Sequence, residues 1–265
     1  MVDVAGLLAK VRKEKPLIHH ITNWVTIYDC AAVTRAIGAL PIMAHAEEEA
    51  AEMASTANAL VLNIGTPNPQ QVRAMVLAGK AANKKGIPVI LDPVGAGATK
   101  YRTETAQDLI SRLKIAVIKG NKSEIGTLAG VKAKTKGVEA ISMEGEPALV
   151  AKRFAKSSGC VVVVTGKRDI IASPKGTVYE VNGLCDLMGK TVGTGCMSAS
   201  MIGAFCAVEA DPAKAATAAL ACFKAAGVIS CRRVVAPMAF KSALIDKIYQ
   251  LNGEEFEGLV DIGEA

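Results

Sequence analysis

The sequence feature that most constrains the fold is the alternation of short apolar runs with longer helical patterns through residues 1–165. Each apolar run is short enough for a buried strand and ends at glycine, proline or a polar cluster. The clearest runs are residues 58–65, 87–91, 115–118 and 160–164. Amphipathic patterns such as residues 69–85, closed by Gly86, lie between them. The alternation predicts an α/β fold with a mainly parallel central sheet and helices on both faces.

The remaining segments extend this pattern to both ends of the chain. Helical spacing of apolar residues predicts further helices at residues 4–13, 24–37, 105–113, 147–157, 198–210, 212–231 and 239–251, and one that begins at Glu47. Extended segments are expected at residues 17–23 and 39–46, and an antiparallel hairpin at residues 170–172 and 177–181. We expect the acidic tail from Gly253 to be partly mobile.

Length and composition favour a single domain that spans residues 1–265. The chain is 51% hydrophobic and long enough to bury a substantial core, and it contains no internal repeat, low-complexity linker or break in composition. A net charge of +6 is compatible with the binding of nucleotide phosphates. No run of Lys and Arg interleaved with aromatic residues suggests a nucleic-acid surface, so we expect no nucleic-acid partner.

Cysteine usage and hydropathy predict a cytoplasmic location. The seven cysteines are scattered, without Cys-x-x-Cys spacing, and most lie in apolar stretches. They are therefore expected to be buried thiols of a reducing compartment and not a disulfide framework or a zinc site. No signal-peptide pattern begins the sequence, and no stretch of about 18 apolar residues is expected to span a membrane.

A glycine-rich segment, residues 191–197 (Thr-Val-Gly-Thr-Gly-Cys-Met), stands directly before an apolar helical run. Gly193 and Gly195 would let the backbone turn tightly and approach a ligand closely. The free N–H groups and the positive end of the helix dipole suit a phosphate, and Cys196 is expected there with a lowered pKa. A tight turn without a ligand is the alternative interpretation of the segment alone.

Polar residues also follow three of the predicted strands. Asp92 is either a site residue or a turn former before Pro93, while Asn121 and Glu124 either cap a helix or offer oxygen ligands to Mg²⁺. Thr165 supplies a hydroxyl for a phosphate. Because the carboxyl ends of parallel strands share one edge of a sheet, these clusters are expected to meet there. The combination suits phosphoryl transfer, in which positioning and charge stabilisation carry most of the catalysis.

Three other kinds of site, a P-loop, a dinucleotide-binding loop and a zinc site, fit the sequence less well. No Gly-x-x-x-x-Gly-Lys-Ser/Thr loop is present, which excludes a P-loop NTPase. Residues 193–198 approach a dinucleotide fingerprint, but the third glycine is Ser198 and no strand ending in an acid follows at the required spacing. His19 and His20 are adjacent, whereas zinc ligands on a helix are usually one turn apart, so we expect them to fix a loop by hydrogen bonds.

Six motifs in the same order resemble the hydroxyethylthiazole kinase family of thiamine salvage across nearly the whole chain. They are residues 19–23 (His-His-Ile-Thr-Asn), 41–44 (Pro-Ile-Met-Ala), 92–95 (Asp-Pro-Val-Gly), 119–121 with Glu124, 165–166 (Thr-Gly) and 193–196 (Gly-Thr-Gly-Cys). The resemblance implies a ribokinase-like fold and transfer of the ATP γ-phosphate to the hydroxyl of 4-methyl-5-(2-hydroxyethyl)thiazole, with Mg²⁺. It also implies a homotrimer with active sites between subunits.

The resemblance assigns the thiazole to four residues of this chain. Met43 is expected to lie against the thiazole, with Asn23 and Pro67 nearby. Gly193 is expected to line the substrate side of the anion-binding loop.

The resemblance assigns ATP and metal to a second group of residues. Lys119, Thr165 and Asn121 correspond to positions that bind ATP, and Asp92 and Glu124 to positions that organise Mg²⁺ and its water ligands. Lys119 stands where many members of the family have arginine. Lysine keeps the positive charge but lacks the bidentate fork of arginine, so the contact with ATP is expected to differ.

Cys196, with Gly193 and Gly195, completes the expected catalytic group. Other ribokinase-like enzymes carry an aspartate at the position of Cys196, where it acts as general base. We expect Cys196 to lie near the substrate hydroxyl and to affect the rate modestly, because a loose phosphoryl-transfer transition state needs little help from a base. Two alternatives stay open: a hydroxymethylpyrimidine kinase, and a protein that binds thiamine precursors without catalysis.

Overall fold

The computed structural model describes residues 2–183, 185–253 and 258–264. Its helices are α1 (Val4–Glu14), α2 (Ile27–Ile37), α3 (Glu47–Thr56), α4 (Pro69–Lys85), α5 (Lys100–Arg112), α6 (Lys122–Leu128), α7 (Pro147–Ser158), α8 (Asp186–Lys190), α9 (Thr194–Cys206), α10 (Pro212–Cys231) and α11 (Pro237–Gln250). Its strands are β1 (Leu17–Ile21), β2 (Leu40–Ile42), β3 (Ala59–Asn63), β4 (Val89–Asp92), β5 (Val117–Asn121), β6 (Ala133–Lys136), β7 (Glu139–Met143), β8 (Val161–Thr165), β9 (Arg168–Ala172), β10 (Val178–Asn182) and β11 (Asp261–Glu264).

The described strands form a nine-stranded sheet in the order β11-β10-β9-β8-β5-β4-β3-β1-β2, and β6 and β7 form a separate hairpin. Pairing is parallel from β8 through β5, β4, β3 and β1 to β2. At the other edge β9, β10 and β11 pair in antiparallel fashion. All the parallel strands therefore end on the same side of the molecule.

Helices cover both faces of the sheet and enclose two apolar cores. Residues of α1, α2, α9, α10 and α11 pack on one face, and residues of α3, α4, α5 and α7 on the other. Side chains of β4 alternate between them, since Ile90 belongs to the first core and Leu91 to the second. Strands buried on both faces explain the nearly continuous apolar runs that the sequence shows. The predicted α/β fold is confirmed.

Three local features differ from the expectation. Helix α2 begins at Ile27, and residues 24–26 form a turn before it. Hairpin β6–β7 was not predicted, because its strands are mostly polar, only half-buried at most, and give no apolar run. In the tail, Glu254, Glu255 and Glu257 lie outside the described residues, whereas Asp261–Glu264 form strand β11, paired with β10, which was not predicted.

The expectation that all cysteines are free thiols is wrong for one pair. Cys185, immediately before α8, forms a disulfide with Cys231 at the end of α10, at a sequence separation of 46. Cys30, Cys160 and Cys196 are among the five that remain free. The pairing follows from the approach of two distant elements, which cysteine spacing alone does not reveal.

Helix α10 corrects the statement that no stretch is apolar enough for a membrane span. Its residues Pro212–Cys231 are long and apolar enough to cross a membrane, with a mean hydropathy of 1.3 over a window of 18 residues. However, 78% of the residues in that window are buried inside the fold. Because α10 packs against α9, α11, α1 and the sheet, it is the apolar central helix of one face.

Candidate active site

The candidate site lies at the edge of the sheet where the parallel strands end. Asn63 and Asp92 are the last residues of β3 and β4, and Thr165 is the last residue of β8. Lys119 lies within β5, and Asn23 follows β1. The topology therefore brings together polar residues that are far apart in sequence, as the sequence predicts for Asp92, Lys119 and Thr165.

A buried ion pair joins two of these strands. Lys119 Nζ lies 3.3 Å from Asp92 Oδ2, and both side chains are almost wholly buried. Burial raises the pKa of Asp92, although Lys119 opposes the shift. Burial alone would lower the pKa of Lys119, but its neighbours, above all the charge of Asp92, raise the pKa above its usual value, and the hydrogen bond to Asp92 adds to this. Lys119 therefore holds a positive charge at the centre of the site.

The same ammonium group connects the sheet to the glycine-rich loop. Lys119 Nζ donates to the backbone carbonyl of Gly195 at 2.9 Å. Gly193 precedes the helix with φ +100°, a conformation that favours glycine. Gly195 has no such φ and lies inside α9, so the tight-turn argument holds for Gly193 alone.

The first turn of α9 is open to an anion. Among the described residues, no side chain caps this helix at Gly193. Met197 N donates to Gly193 O, so the preceding N–H groups of Thr194, Gly195 and Cys196 have no carbonyl of the helix to bind. Lys119 adds a positive charge beside this helix end. Together they supply what a phosphate needs.

Cys196 lies at this helix end, but the expected fall in its pKa is wrong. Burial raises the pKa of Cys196, and the charge of Asp92 raises it further, outweighing Lys119. The thiol is therefore protonated at neutral pH. Its Sγ accepts a hydrogen bond of 3.4 Å from Asn23 Nδ2, which places Cys196 beside a residue expected to contact substrate.

Asn63 belongs to the site and was missed by the sequence analysis. Its Nδ2 donates to Asp92 Oδ2 at 2.8 Å, and its Oδ1 accepts from Asn23 Nδ2 at 2.9 Å and from Gly65 N at 2.9 Å. The side chain thus connects Asp92 to Asn23. A buried asparagine at the end of an apolar strand, next to Gly65, was the signal that could have found it.

Asn121 and Glu124 form the capping box that was one of the two interpretations of this segment. Asn121 accepts from the backbone N–H of Ser123 and Glu124, and Glu124 Oε2 accepts from Asn121 N at 2.7 Å. Glu124 Oε1 accepts from Gly95 N at 2.8 Å. Burial, with the charge of Asp92, raises the pKa of Glu124 to about 7. Glu124 caps the helix and also belongs to the site, because the Gly95 N–H that it binds lies in the loop directly after Asp92.

The donor set fits a hydrated magnesium ion. Asp92 Oδ1 is buried and has no hydrogen-bond partner within the described part of the chain. Glu124 is close enough for its charge to affect Asp92 and Lys119. Mg²⁺ usually binds one or two carboxylates and completes its shell with water and phosphate oxygens. The described residues contain no group of three His, Cys, Asp or Glu that would form a closed metal cage.

The remaining predicted residues lie outside the hydrogen bonds that join Asp92 to Lys119 and Asn63. Met43 follows edge strand β2, and its carbonyl contacts the His45 ring. His45 in turn bonds the backbone of Thr22 and stacks on Trp24. Pro67 follows β3 and is half-buried, outside the hydrogen-bond network around Asp92. Thr165 Oγ1 donates to Gly120 O at 3.3 Å, beside Lys119.

The two adjacent histidines are held by hydrogen bonds, as expected. His19 Nε2 contacts Ala44 O at 2.8 Å, which fixes the loop after β2. His20 Nδ1 contacts Ile18 O, and His20 Nε2 contacts Ser200 Oγ of α9 at 3.1 Å. Because burial lowers the pKa of His20 to about 3, the ring is neutral.

Comparison with known proteins agrees with this geometry. The model of the hydroxyethylthiazole kinase family matches residues 8–254. The chain belongs to the hydroxyethylthiazole kinase family. A hydroxyethylthiazole kinase from Methanosarcina mazei is 51% identical over 97% of this chain and 98% of its own, and one from Methanocella arvoryzae is 50% identical over 96% and 95%.

Solved structures place this hydroxyethylthiazole kinase family member among the ribokinase-like proteins. A hydroxyethylthiazole kinase protein from Pyrococcus horikoshii OT3 superimposes with a TM-score of 0.91 at 38% identity, and each chain is covered completely. A pyridoxal kinase from Staphylococcus aureus shares the fold with a TM-score of 0.60 at 14% identity, over 96% of this chain and 97% of its own. The chain therefore has the ribokinase-like fold that these proteins share.

Proposed function

We propose that the protein transfers the γ-phosphate of ATP to the hydroxyl of 4-methyl-5-(2-hydroxyethyl)thiazole. The observation that carries this proposal is the meeting of Lys119, Asp92 and the uncapped start of α9 at one point. The hydroxyl oxygen forms a bond to the γ-phosphorus, the bond to the β,γ-bridging oxygen breaks, and ADP leaves. The hydroxyl proton passes to an oxygen of the transferred phosphoryl group and from there to solvent. Positive charge and free N–H groups at that point stabilise the transferred phosphoryl group.

Lys119, Thr165 and Asn121 form the proposed ATP side of the site. Lys119 is held between Asp92 and Gly195 O, so its ammonium points at the helix end and not into open solvent. We therefore assign Lys119 to the transferred phosphate. Thr165 lies at the neighbouring strand end, and Asn121 contributes through the capping box that shapes the loop after β5.

Asp92 and Glu124 form the proposed Mg²⁺ side. The unpartnered Asp92 Oδ1 is the direct ligand, because both oxygens of Glu124 already accept backbone hydrogen bonds. Glu124 would orient a water ligand with the lone pairs that remain. When bound, Mg²⁺ would neutralise negative charge on the ATP phosphates.

Met43, Asn23, Pro67 and Gly193 form the proposed thiazole side. Asn23 is the best placed of these residues, since it bonds both Asn63 and the Cys196 thiol. Gly193 keeps the loop free of a side chain, and a Cβ at this position would approach Asp29 Oδ2 to 2.9 Å. Cys196 lies beside the expected hydroxyl, and because its thiol is protonated at neutral pH it does not serve as the general base there.

We propose a homotrimer with active sites between subunits. Large apolar side chains are exposed near the site, in the turn before α2 and its first turn, in the glycine-rich loop and around the start of α11: Trp24, Val25, Tyr28, Val192, Val235 and Met238. Apolar side chains clustered in this way are typical of surfaces that another chain covers. A cytoplasmic location, where ATP is abundant, is the setting proposed for this enzyme.

The test is the release of ADP by the purified protein with ATP and Mg²⁺, with and without the thiazole alcohol. Release that depends on the thiazole and is absent with hydroxymethylpyrimidine supports the proposal. Release with hydroxymethylpyrimidine alone would favour the alternative kinase. Tight thiazole binding without any release would favour a binding protein.

A further inference from the structure

A second buried ion pair lies outside the catalytic group. Lys224 Nζ of α10 is 3.5 Å from Asp169 Oδ2 of β9, and the two side chains are 4% and 6% exposed. Lys224 stands among Phe223, Ala225 and Ala226 in a helix whose buried side is mostly apolar. Placing two charges in the interior is costly unless they are paired and hydrogen-bonded.

Both members of this pair bind one short turn. Strand β8 ends at Thr165 and β9 begins at Arg168, so Gly166 and Lys167 alone connect them. Lys224 Nζ donates to Gly166 O at 3.1 Å and to Lys167 O at 2.9 Å. Asp169 Oδ1 accepts from Gly166 N at 2.9 Å. The pair therefore holds most of the backbone polar groups of the turn.

This turn carries Thr165 into the proposed ATP side. Thr165 Oγ1 reaches Gly120 O, next to Lys119. The turn follows the end of β8, which pairs with β5, so it lies at the same edge of the sheet as Lys119. The three N–H donors of the Lys224 ammonium are used by two carbonyls and one carboxylate, so none is left for a nucleotide.

We propose that Lys224 and Asp169 are positioning residues for ATP: they hold the Thr165–Lys167 turn in the conformation that receives the nucleotide. The proposal rests on the proposed function for the identity of the nucleotide. Loss of the pair is expected to weaken ATP binding while the thiazole side keeps its geometry, because Asn23, Asn63 and Cys196 do not contact the pair.

The experiment compares Lys224→Met with Lys214→Met, an exposed lysine on the same helix. In Lys224→Met the KM for ATP is expected to rise about tenfold, as for the loss of a charge-assisted hydrogen bond, while the KM for thiazole stays within about twofold. Lys214→Met is expected to match the wild type. Equilibrium binding of ATP to each protein is measured in parallel, so the comparison does not depend on turnover alone.

Two further variants separate positioning from stability. Asp169→Asn keeps an acceptor for Gly166 N and is expected to retain more ATP affinity than Asp169→Ala. Lys224→Met leaves the buried Asp169 unpaired and for that reason could prevent folding. The double variant Lys224→Met with Asp169→Asn removes both charges, and we expect it to fold and to bind ATP more weakly.

The outcomes separate this proposal from the proposed function. A lower Tm with unchanged ATP affinity, or equal rises in KM for both substrates, would overturn the positioning role. Absence of thiazole-dependent turnover in the wild type would instead overturn the proposed function, and the ATP-binding comparison would still decide the role of Lys224.

Discussion

At the scale of single residues, the site depends on how burial changes the charge of side chains. Lys119 keeps its charge because Asp92 pairs with it, whereas Cys196 keeps its proton because burial and Asp92 outweigh that same lysine. A helix end alone would have lowered the pKa of the thiol. The residue at this position is therefore better suited to contact the substrate hydroxyl than to remove its proton.

Replacement of Cys196 tests that role. We expect Cys196→Ala to lower kcat by about tenfold or less, because general-base help is a small part of a loose phosphoryl transfer. Cys196→Asp is expected to retain or raise activity, since an aspartate there is a stronger base. Steady-state kinetics of both variants measure the effect. Complete loss of activity in Cys196→Ala with both substrates still bound would contradict the modest role.

His20 predicts how stability depends on pH. Burial lowers its pKa from 6.5 to about 3, so the folded protein excludes a proton that the unfolded chain binds below the unfolded pKa. The contribution of His20 to the free energy of unfolding is therefore fully present above the unfolded pKa. It decreases as the pH falls toward the folded pKa, by about 2 kcal/mol between pH 7.5 and pH 5. In urea unfolding, His20→Asn is expected to lose that part of the decrease. An unchanged pH dependence in the variant would show that His20 does not cause it.

At the scale of elements, the start of α9 and the strands it faces define the site. The helix places Cys196 against Asn23, which follows β1. It also places the carbonyl of Gly195 against Lys119, which lies within β5. Asp29 of α2 lies behind the loop, where Lys241 of α11 bonds it at 2.8 Å. The loop therefore depends on packing between three helices and the sheet.

Gly193 is the position where this loop is least tolerant of a side chain. Alanine would need φ +100° and would place Cβ 2.9 Å from Asp29 Oδ2. We expect Gly193→Ala to destabilise the protein by about 1–2 kcal/mol and to reduce kcat/KM at least about tenfold. Gly189→Ala is the matched control, because no atom lies within 4 Å of its added Cβ. Equal activity and Tm in the two variants would contradict the structural account of the loop.

Elements with strong local signals were predicted well. Helices α4 and α10 have the predicted bounds, because Asn68 caps α4, Asp211 caps α10 and each helix has proline in its first turn. Hairpin β6–β7 and strand β11 were missed, since polar strands at the surface show no apolar run. Pairing of β11 with β10 also depends on a long-range contact.

The sequence predicts those site residues that lie at the carboxyl ends of parallel strands, because these ends meet at one edge of the sheet. Asp92, Lys119 and Thr165 follow from that rule, whereas Asn63 was hidden inside an apolar run and identified only by its bonds to Asp92 and Asn23. The disulfide between Cys185 and Cys231 and the pair of Lys224 with Asp169 were not predicted for the same reason. For the disulfide and the ion pair, the partner is far away in sequence and no local pattern indicates it.

At the scale of the whole molecule, one sheet with two apolar cores carries a site at its carboxyl edge. Several exposed apolar side chains lie near that site, and Tyr28 is 79% exposed on α2. The interpretation of residues 1–265 as a single domain stays a prediction. Assembly into a trimer would cover the exposed apolar side chains and add a second wall to the site.

Tyr28→Glu tests the assembly. We expect the wild type to elute as a trimer in size-exclusion chromatography with light scattering, and Tyr28→Glu to shift toward the monomer with reduced kinase activity, because a charge in an apolar interface is costly. Tyr101→Glu, an exposed tyrosine on α5, is the control and is expected to remain trimeric. A monomeric wild type with full activity would contradict the proposed trimer.

The central claim is that Asp92, paired with Lys119 at the start of α9, serves phosphoryl transfer to the thiazole alcohol. The direct measurement is mass spectrometry of the product from ATP, Mg²⁺ and the thiazole alcohol, with wild type and Asp92→Asn side by side. The account predicts the thiazole monophosphate from the wild type and a rate at least about 100-fold lower from Asp92→Asn, with thiazole binding preserved. Equal rates of product formation by the two proteins would contradict it.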